Sequence, residues 1–472
     1  MRQWRINLIF ILIILFGAAI IGRLVYIQII NYNLYRALAQ GQQGIFQPFK
    51  GARGQIFFKG GEVLAMNMEG FFRKYPQESM ASQTIGFLGG EGRGQYGLEG
   101  YYDEVLQGKE GFQEVGLNHN KGADIFLTID YNIQFTAEEL LKKAKDGLDI
   151  ESGQIVVLEP FSGKILALAN FPNFNPNYYF EIKDFQIFQN PVVQKIFEPG
   201  SVFKPITAAA AIDQQKINPQ TTYIDTGSMR IGGRVISNYD KKVWGEKNMT
   251  EVLERSINTG AVFMERELGH NLFLEYLDRF GFFEPTGIDL QGEIFSTNKE
   301  FKKGYEINFA TASFGQGIEM TPIQLVRAFS VIANAGKMVK PYMVEKIVEN
   351  GETMEISPAL FPKEIISQKT ASQVTAMLIS VIEQGSGRLA KIPGYYVAGK
   401  TGTAQVPEGR GYSAEKTIQS FIGFAPALEP RFLILVKLDN PKARTAEYSA
   451  VPIFQELAKY IINYWQIPPD YE

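Results

Sequence analysis

The first thirty residues form the longest apolar run in the chain. From Ile6 to Gly22 the only polar side chain is Asn7, and apolar residues resume after Arg23. The run is long enough for one membrane-spanning helix, with the arginine side chain reaching back toward the interface. The pattern therefore predicts a transmembrane segment over residues 6–30.

The residues that flank this segment predict its orientation. Arg2 and Arg5 precede it, and positive charge is typical of the cytoplasmic side. Gly17–Ala19 resembles a signal-peptide cleavage site, but the apolar run continues directly after it, which favours an uncleaved anchor. We expect residues 1–5 in the cytoplasm and a large body outside it, on a single-pass protein.

Residues 31–147 combine many glycines and aromatics with short alternating runs. Gln55–Phe58 and Asp124–Ile129 have the length and composition of short strands, and Tyr131–Lys145 carries apolar residues near the helical period. We interpret 31–147 as a β-rich, non-catalytic pedestal domain.

The pattern changes in residues 148–472. Gln154–Leu158 and Lys164–Ala169 predict a β-hairpin, because turn residues separate two apolar runs. Later runs predict three helices, Thr207–Ile212, Thr250–Leu268 and Thr321–Ala335. Three predicted strands follow, Tyr395–Val406, Ser420–Ala425 and Phe432–Leu438, and the closing helix is Val451–Tyr464. This order predicts an α/β or α+β fold in which both ends of the domain share one antiparallel sheet.

Composition narrows the chemistry. The 472 residues contain no Cys and two His, His119 and His270, which excludes thiol nucleophiles and thiolate metal sites and argues against a multi-histidine metal centre. Lys plus Arg number 47 against 50 Asp plus Glu, so a nucleic-acid partner is not expected. Serine, lysine or carboxylate side chains must carry any reaction, and we expect no metal or cofactor.

Ser201 and Lys204 stand three residues apart, after Pro199-Gly200 and before an alanine-rich run. At the start of a helix both side chains lie on one face, so a neutral Lys204 can take the Ser201 proton. The alternative is an ordinary helix cap with a solvated lysine. The same spacing recurs in polar segments, at Ser296 to Lys299 and Ser413 to Lys416.

Two further motifs follow along the chain. Ser256-Ile257-Asn258 lies inside the predicted helix Thr250–Leu268, where Ser and Asn are poor helix formers; polar residues there indicate a cleft or, alternatively, a capped helix end. Lys400-Thr401-Gly402-Thr403 lies on a predicted strand, so Thr401 and Thr403 share a face. Lys400 offers a cation for a carboxylate, and the alternative is a glycine-weakened edge strand.

The three motifs in this order are the signature of penicillin-binding proteins and class A β-lactamases. The chain is identified by resemblance as a class B penicillin-binding protein, also through Arg53–Ile56, Tyr96–Asp103 and Phe314–Gly317. The resemblance implies a five-stranded antiparallel sheet flanked by helices, behind a pedestal domain. It also implies a peptidoglycan D,D-transpeptidase that β-lactams acylate.

The roles of the motif residues follow from the same resemblance. Ser201 is expected as the nucleophile, Lys204 as its base, and Ser256 and Asn258 as proton relay and acyl-enzyme support. Lys400, Thr401, Gly402 and Thr403 are expected to bind the substrate carboxylate. The backbone N–H groups of Ser201 and Thr403 would form the oxyanion hole.

The implied substrates are a stem peptide ending in D-alanyl-D-alanine and an acceptor amine from a neighbouring strand. The implied partners are a separate membrane polymerase and division or elongation proteins, and the septal role is favoured. The implied location is the bacterial cytoplasmic membrane, with the catalytic domain outside. The residues leave three alternatives open: a D-alanyl-D-alanine carboxypeptidase, a β-lactamase, and a scaffold for the polymerase with little activity of its own.

Overall fold

A computed structural model describes residues 3–42, 52–68, 72–108, 121–357, 363–408 and 411–471. His119 lies outside these residues. The described chain begins with a long helix, α1, at Gln3–Val25. A π-helical turn at Tyr26–Ile30 and a second helix, α2, at Tyr32–Gln42 come next. Asn7–Ile29, with a mean hydropathy of 2.8, is long and apolar enough to cross a membrane, so this end of the chain has the features of a single-pass anchor.

The next region is built from short elements. Its strands are β1 Ile56–Phe57, β2 Val63–Asn67, β3 Arg73–Lys74, β4 Phe87–Leu88, β5 Gly94–Gln95 and β6 Asp124–Leu127. Its helices are α3 Ser82–Ile85, α4 Gly97–Tyr101, α5 Asp103–Leu106 and α6 Tyr131–Leu148. The predicted short strands and the predicted helix from Tyr131 are confirmed, and Asp130 caps α6 by accepting from the backbone N–H of Asn132 and Ile133.

The second region carries the large sheet. Its strands are β7 Ser152–Leu158, β8 Ile165–Phe171, β9 Thr222–Asp225, β10 Ser228–Ile231, β11 Arg234–Ser237, β12 Gly245–Asn248, β13 Lys337–Met338, β14 Val344–Glu349, β15 Glu352–Glu355, β16 Lys363–Glu364, β17 Ala398–Glu408, β18 Gly411–Ala425 and β19 Phe432–Asp439. Its α-helices are α7 Pro191–Gln194, α8 Lys204–Asp213, α9 Met249–Glu254, α10 Asn258–Leu268, α11 His270–Arg279, α12 Glu306–Ala312, α13 Pro322–Ala333, α14 Gln368–Glu383 and α15 Ala450–Tyr464. Five strands pair in the order β17-β18-β19-β7-β8, all antiparallel, which confirms the predicted fold class.

Both faces of this sheet are covered because side chains alternate along each strand. On β19, Ile434 and Val436 pack into a core with α6 and α15, whereas Leu433 and Leu435 pack into a second core with α8 and α13. Helices therefore flank both sides of the sheet, and the active-site motifs lie on the α8 side.

A six-stranded sheet joins the region of short elements to two strands from far along the chain. Its order is β15-β14-β6-β1-β2-β3, so residues after 340 pair with β6. Asp289 reinforces this junction, since its carboxylate accepts the backbone N–H of Met343 and Val344 and the hydroxyl of Tyr102. The local sequence pattern does not predict this long-range pairing.

The prediction of one helix over Thr250–Leu268 is wrong. Helix α9 ends at Glu254 and α10 begins at Asn258. Ser256 between them has φ 55°, and the N–H groups of Ser256 and Ile257 bond back to Leu253 and Val252. This is the Schellman arrangement of a helix C-terminus, in which a left-handed residue satisfies the last carbonyls.

Candidate active site

The nucleophile candidate Ser201 lies in a 3₁₀ turn, Gly200–Phe203, that leads directly into α8. Gly200 enters this turn with φ 62°, and its N–H donates to the carbonyl of Gly315 at 2.9 Å. Ser201 is half-buried, and its hydroxyl has no hydrogen-bond partner among the described residues. The turn thus presents the Ser201 hydroxyl at the edge of the site.

Lys204 is fully buried one turn further along and does not hydrogen-bond to Ser201 within the described chain. Its Nζ lies 2.6 Å from the carbonyl oxygen of Ser256, 2.8 Å from Oδ1 of Asn258 and 3.2 Å from Oγ of Ser256. Burial, together with the charge of Lys400, lowers the pKa of Lys204 well below its ordinary value.

These contacts fix the orientation of a neutral Lys204 amine. The Ser256 carbonyl and the Asn258 Oδ1 can only accept, so they take both N–H bonds of an uncharged amine. The remaining lone pair is then left for a hydroxyl. The contacts of Lys204 therefore suit a general base.

Lys400, on β17, is the second fully buried lysine. Its Nζ lies 3.0 Å from Oγ of Ser256, 3.1 Å from the carbonyl of Thr401 and 3.3 Å from Oγ1 of Thr401. Burial lowers the pKa of Lys400 to about 7. The Ser256 hydroxyl thus joins the amines of Lys204 and Lys400, and it can accept from one while donating to the other.

The left-handed conformation of Ser256 explains this bridge. It turns both the carbonyl and the hydroxyl of Ser256 toward the two lysines. A non-glycine residue in this region costs roughly 1–2 kcal/mol, and the helix-end bonds described above hold it there. Strain of this kind is typical of functional positions.

Gly402 allows the nucleophile turn to approach β17 closely. A Cβ at this position would lie 2.6 Å from Ser420 Oγ and 2.9 Å from Val202 Cγ1. Thr403, one residue further along, is half-buried, and its Oγ1 accepts the backbone N–H of Ala446 at 3.3 Å. The strand therefore runs directly beside the turn that carries Ser201.

The structure brings the three motifs together and separates them from their repeats elsewhere. Lys299 and Lys416, which follow Ser296 and Ser413 at the same spacing, are exposed, whereas Lys204 is fully buried. Ser296 instead donates to the Glu319 carboxylate at 2.9 Å in a buried structural turn. Burial of the lysine distinguishes the first match from the other two.

Sequence reasoning missed two residues that support the site. Oδ1 of Asn238 accepts the N–H of Asn258 at 3.1 Å, while its amide group donates to the Asp225 carboxylate. Ser386 Oγ lies 2.9 Å from Thr401 Oγ1. Asn238 follows a β-hairpin with no motif of its own, and only the Gly-Ser-Gly around Ser386 indicates a tight turn there.

His270 is a structural residue. Its Nδ1 lies 2.6 Å from the buried Glu265 carboxylate and its ring stacks on Phe309. Neither of these contacts involves the lysines described above.

Comparison with known proteins shows the family of the chain. Residues 153–459 match the family described as the penicillin binding protein transpeptidase domain. The chain therefore belongs to the penicillin-binding protein transpeptidase family, in its class B branch, whose members are serine-type enzymes of peptidoglycan cross-linking.

Individual relatives support the same assignment. The chain is 33% identical over 408 residues to stage V sporulation protein D of Bacillus subtilis, covering 81% of this chain and 63% of that protein. It is 32% identical over 443 residues to a probable peptidoglycan D,D-transpeptidase of Pseudomonas aeruginosa, covering 89% and 76%. The fold resembles the crystal structure of penicillin-binding protein 3 of Mycobacterium tuberculosis, with 30% identity, a TM-score of 0.82 and coverage of 90% and 98%. That relative has also been crystallised with aztreonam and with ampicillin.

Proposed function

We propose that this protein is a peptidoglycan D,D-transpeptidase that forms an acyl-enzyme on Ser201 and is a target of β-lactams. The observation that carries the proposal is the state of Lys204. It is fully buried, its hydrogen bonds run to neutral oxygens, and it lies one helical turn from Ser201. Burial and the charge of Lys400 lower the pKa of Lys204, so its amine is suited to accept the Ser201 proton.

Acylation proceeds by transfer of one proton and exchange of one bond. Neutral Lys204 takes the hydroxyl proton of Ser201, and Oγ attacks the carbonyl carbon of the penultimate D-alanine. The C–N bond to the terminal D-alanine breaks, and that proton returns through Lys204 and Ser256 to the leaving amine. The backbone N–H groups of Ser201 and Thr403 hold the oxyanion.

Lys400, Thr401, Gly402 and Thr403 bind the substrate. The terminal carboxylate brings a negative charge beside Lys400, which favours its protonated form and offsets the cost of its burial. The Thr401 hydroxyl, which Ser386 orients, and the Thr403 hydroxyl donate to the same carboxylate. Gly402 allows the turn that carries Ser201 to lie close against β17, along which the peptide extends.

The second half-reaction decides between the alternatives. An acceptor amine from a neighbouring strand attacks the acyl carbon, a new C–N bond forms, and Ser201 leaves with the amine proton. Attack by water in place of the amine would make the protein a D-alanyl-D-alanine carboxypeptidase, or a β-lactamase when the acyl group comes from a β-lactam. A scaffold would form no acyl-enzyme during wall synthesis.

We further propose a domain plan of a cytoplasmic end at 1–5, an anchor at 6–30, a pedestal at 31–147 and a transpeptidase domain at 148–472. The anchor holds the protein in the bacterial cytoplasmic membrane with the catalytic domain outside. A membrane polymerase supplies the glycan strands, together with division or elongation proteins. We favour a septal role, and a fluorescent fusion that localised along the side walls would contradict it.

Time-resolved intact mass spectrometry of the full-length protein with benzylpenicillin tests the proposal. A persistent adduct on the wild type that is absent from Ser201→Ala supports it, and Ser413→Ala is the matched control that keeps the adduct. A stem peptide and an amine acceptor should then yield the cross-linked product with release of D-alanine. An adduct that disappears within seconds indicates a hydrolase, and folded wild-type protein without an adduct indicates a scaffold.

A further inference from the structure

Strand β19 contains one basic residue among buried apolar ones, Lys437. This strand is the centre of the five-stranded sheet, and Lys437 is only 6% exposed. Its side chain lies on the face that packs against α8, the same face as Leu433 and Leu435. A central strand position of this kind ordinarily holds an aliphatic residue.

The ammonium group of Lys437 has three polar contacts and one aromatic contact. Nζ lies 2.7 and 2.9 Å from the two oxygens of Asp439 and 2.9 Å from Oε1 of Gln154. It also lies 5.2 Å from the centroid of the Phe197 ring, within the range of a cation–π interaction. Burial disfavours charge on Asp439, yet Lys437 holds the pKa of Asp439 below its ordinary value.

Phe197 begins the segment that carries the nucleophile, four residues before Ser201. Its backbone exchanges two hydrogen bonds with Met320, and Gly200 is bonded to Gly315 as described above. Lys437 also pairs across the sheet with Ser420, which in turn pairs with Gly402 beside Ser201. Lys437 therefore contacts the Phe197 end of the segment directly, whereas its link to the Ser201 end runs through two strand pairings.

A cavity of about 290 Å³ borders this segment, between the sheet and the starts of α7 and α13. Phe197, Lys437, Pro191, Pro322 and Ile418 are among its lining residues. Phe197 therefore borders a void, and side chains beside a void make fewer contacts. The contact with Lys437 is correspondingly more important for the position of the ring.

A buried ion pair is a poor way to stabilise a core. An apolar pair of similar volume is often as stabilising or more so, because two charges must be removed from water. Lys437 is buried and the Asp439 side chain is 21% exposed, so the pair is largely removed from water. It is therefore better explained by the conformation that it imposes on its surroundings than by fold stability.

We propose that Lys437 is a positioning residue for acyl transfer: held by Asp439 and Gln154, it fixes the Phe197 ring and through it the position of the Ser201 hydroxyl. This role deepens the proposed function and depends on acylation at Ser201. It predicts an effect on the acylation step itself, because a small displacement of a nucleophile changes rate more than binding.

Single-turnover acylation of the full-length protein by benzylpenicillin tests this role. Lys437→Met keeps the side-chain length and removes the charge, and we expect the acylation rate constant to fall about ten- to a hundredfold with the dissociation constant unchanged. Lys437→Arg keeps a cation over Phe197 and should restore most of the rate. Lys143→Met, which removes an exposed ion pair with Glu456 on the other side of the sheet, is the matched control.

A second substitution keeps the test decisive if Lys437→Met does not fold. Phe197→Leu removes the ring and leaves the ion pair, so it should lower the same rate constant, and the double variant should be no slower than the slower single one. Wild-type rate constants in folded Lys437→Met or Phe197→Leu, or additive losses in the double variant, would overturn the role of Lys437. Failure of the wild type to acylate would instead overturn the proposed function.

Discussion

Two buried polar clusters in this molecule differ in whether their basic side chains hydrogen-bond to a carboxylate. In the pedestal, Arg53 lies 2.7 Å from the Glu99 carboxylate and Arg73 lies 2.6 Å from it, and all three side chains are almost fully buried. In the catalytic domain, Lys204 and Lys400 are buried just as deeply, but within the described chain neither hydrogen-bonds to a carboxylate.

The difference appears in the pKa values. Burial works against charge on Arg53, yet Glu99 and Asp103 raise its pKa, and although burial disfavours charge on Glu99, the two arginines lower the pKa of that carboxyl. Burial without a counter-ion instead lowers the pKa of Lys204 and of Lys400. Equal burial thus favours charged side chains around Glu99 and lowers the pKa of the two lysines.

The largest expected effect comes from making the charge on Lys204 permanent. Lys204→Arg cannot lose its proton near neutral pH, so we expect acylation by benzylpenicillin to slow by about 10³- to 10⁴-fold. Stopped-flow or quenched mass measurements give this rate. Lys416→Arg, at the same spacing from a serine but exposed, should acylate like the wild type, and equal losses in both variants would contradict the special role of burial.

A substitution in the Arg53–Glu99 cluster should lower the free energy of unfolding and leave the acylation rate unchanged. Glu99→Gln removes the carboxylate that both buried arginines contact and leaves Arg53 with Asp103, which costs about 3–5 kcal/mol. Urea denaturation should show an earlier unfolding transition, whereas acylation of the protein that remains folded should be unchanged. Glu456→Gln, in an exposed pair with Lys143, is the control and should change the free energy of unfolding by under about 1 kcal/mol.

The sequence indicated which residues lie together in the candidate site better than it indicated how they are arranged. The three motifs and their order are local, and they identified Ser201, Lys204 and Lys400 as residues of one site. The Schellman turn at Ser256 was missed because a serine holds the left-handed position that glycine usually marks. Nothing local indicated that Asn238 supports Asn258, since the pairing depends on a hairpin packed 20 residues away.

The sequence predicted individual elements of the fold but not every pairing between them. Alternating and helical patterns predicted the five sheet strands and the closing helix, because each of these patterns depends only on the residues of one continuous segment. The pairing of β14 with β6 joins residues more than 200 positions apart, so the local hydrophobic pattern does not predict it. The pattern of β19 likewise does not indicate that the charge of Lys437 is buried at its centre.

A smaller fall in the acylation rate is expected when the hydroxyl that joins the two lysines is removed. Ser256→Ala deletes the hydroxyl that joins Lys204 to Lys400, so the acylation rate should fall by about 10²-fold. Ser296→Ala, in the chain's other Ser-x-Asn sequence, loses a buried hydrogen bond to Glu319 and should lower stability without changing the rate. Equal rates for the two variants would show that the bridge does not carry protons.

The smallest effect is a dependence of stability on pH. The pKa of Lys400 is about 7 in the folded protein against an ordinary value of 10.5, so between these values the unfolded chain binds a proton that the folded chain lacks. Stability therefore rises with pH across this window, by about 1 kcal/mol per pH unit. Urea denaturation of the wild type between pH 7 and 9 should show a steeper rise than that of Lys400→Met, and identical slopes would mean that Lys400 is charged when folded.

The pH profile of the acylation rate tests most directly whether a buried lysine without a counter-ion is the base. For the wild type, the rate should rise with a midpoint well below the ordinary lysine value of 10.5 and then level off. In Lys400→Met the midpoint should move to higher pH, because the neighbouring charge that lowers the pKa of Lys204 is gone. A wild-type midpoint at the ordinary lysine value, or a rate that does not change with pH, would contradict the account.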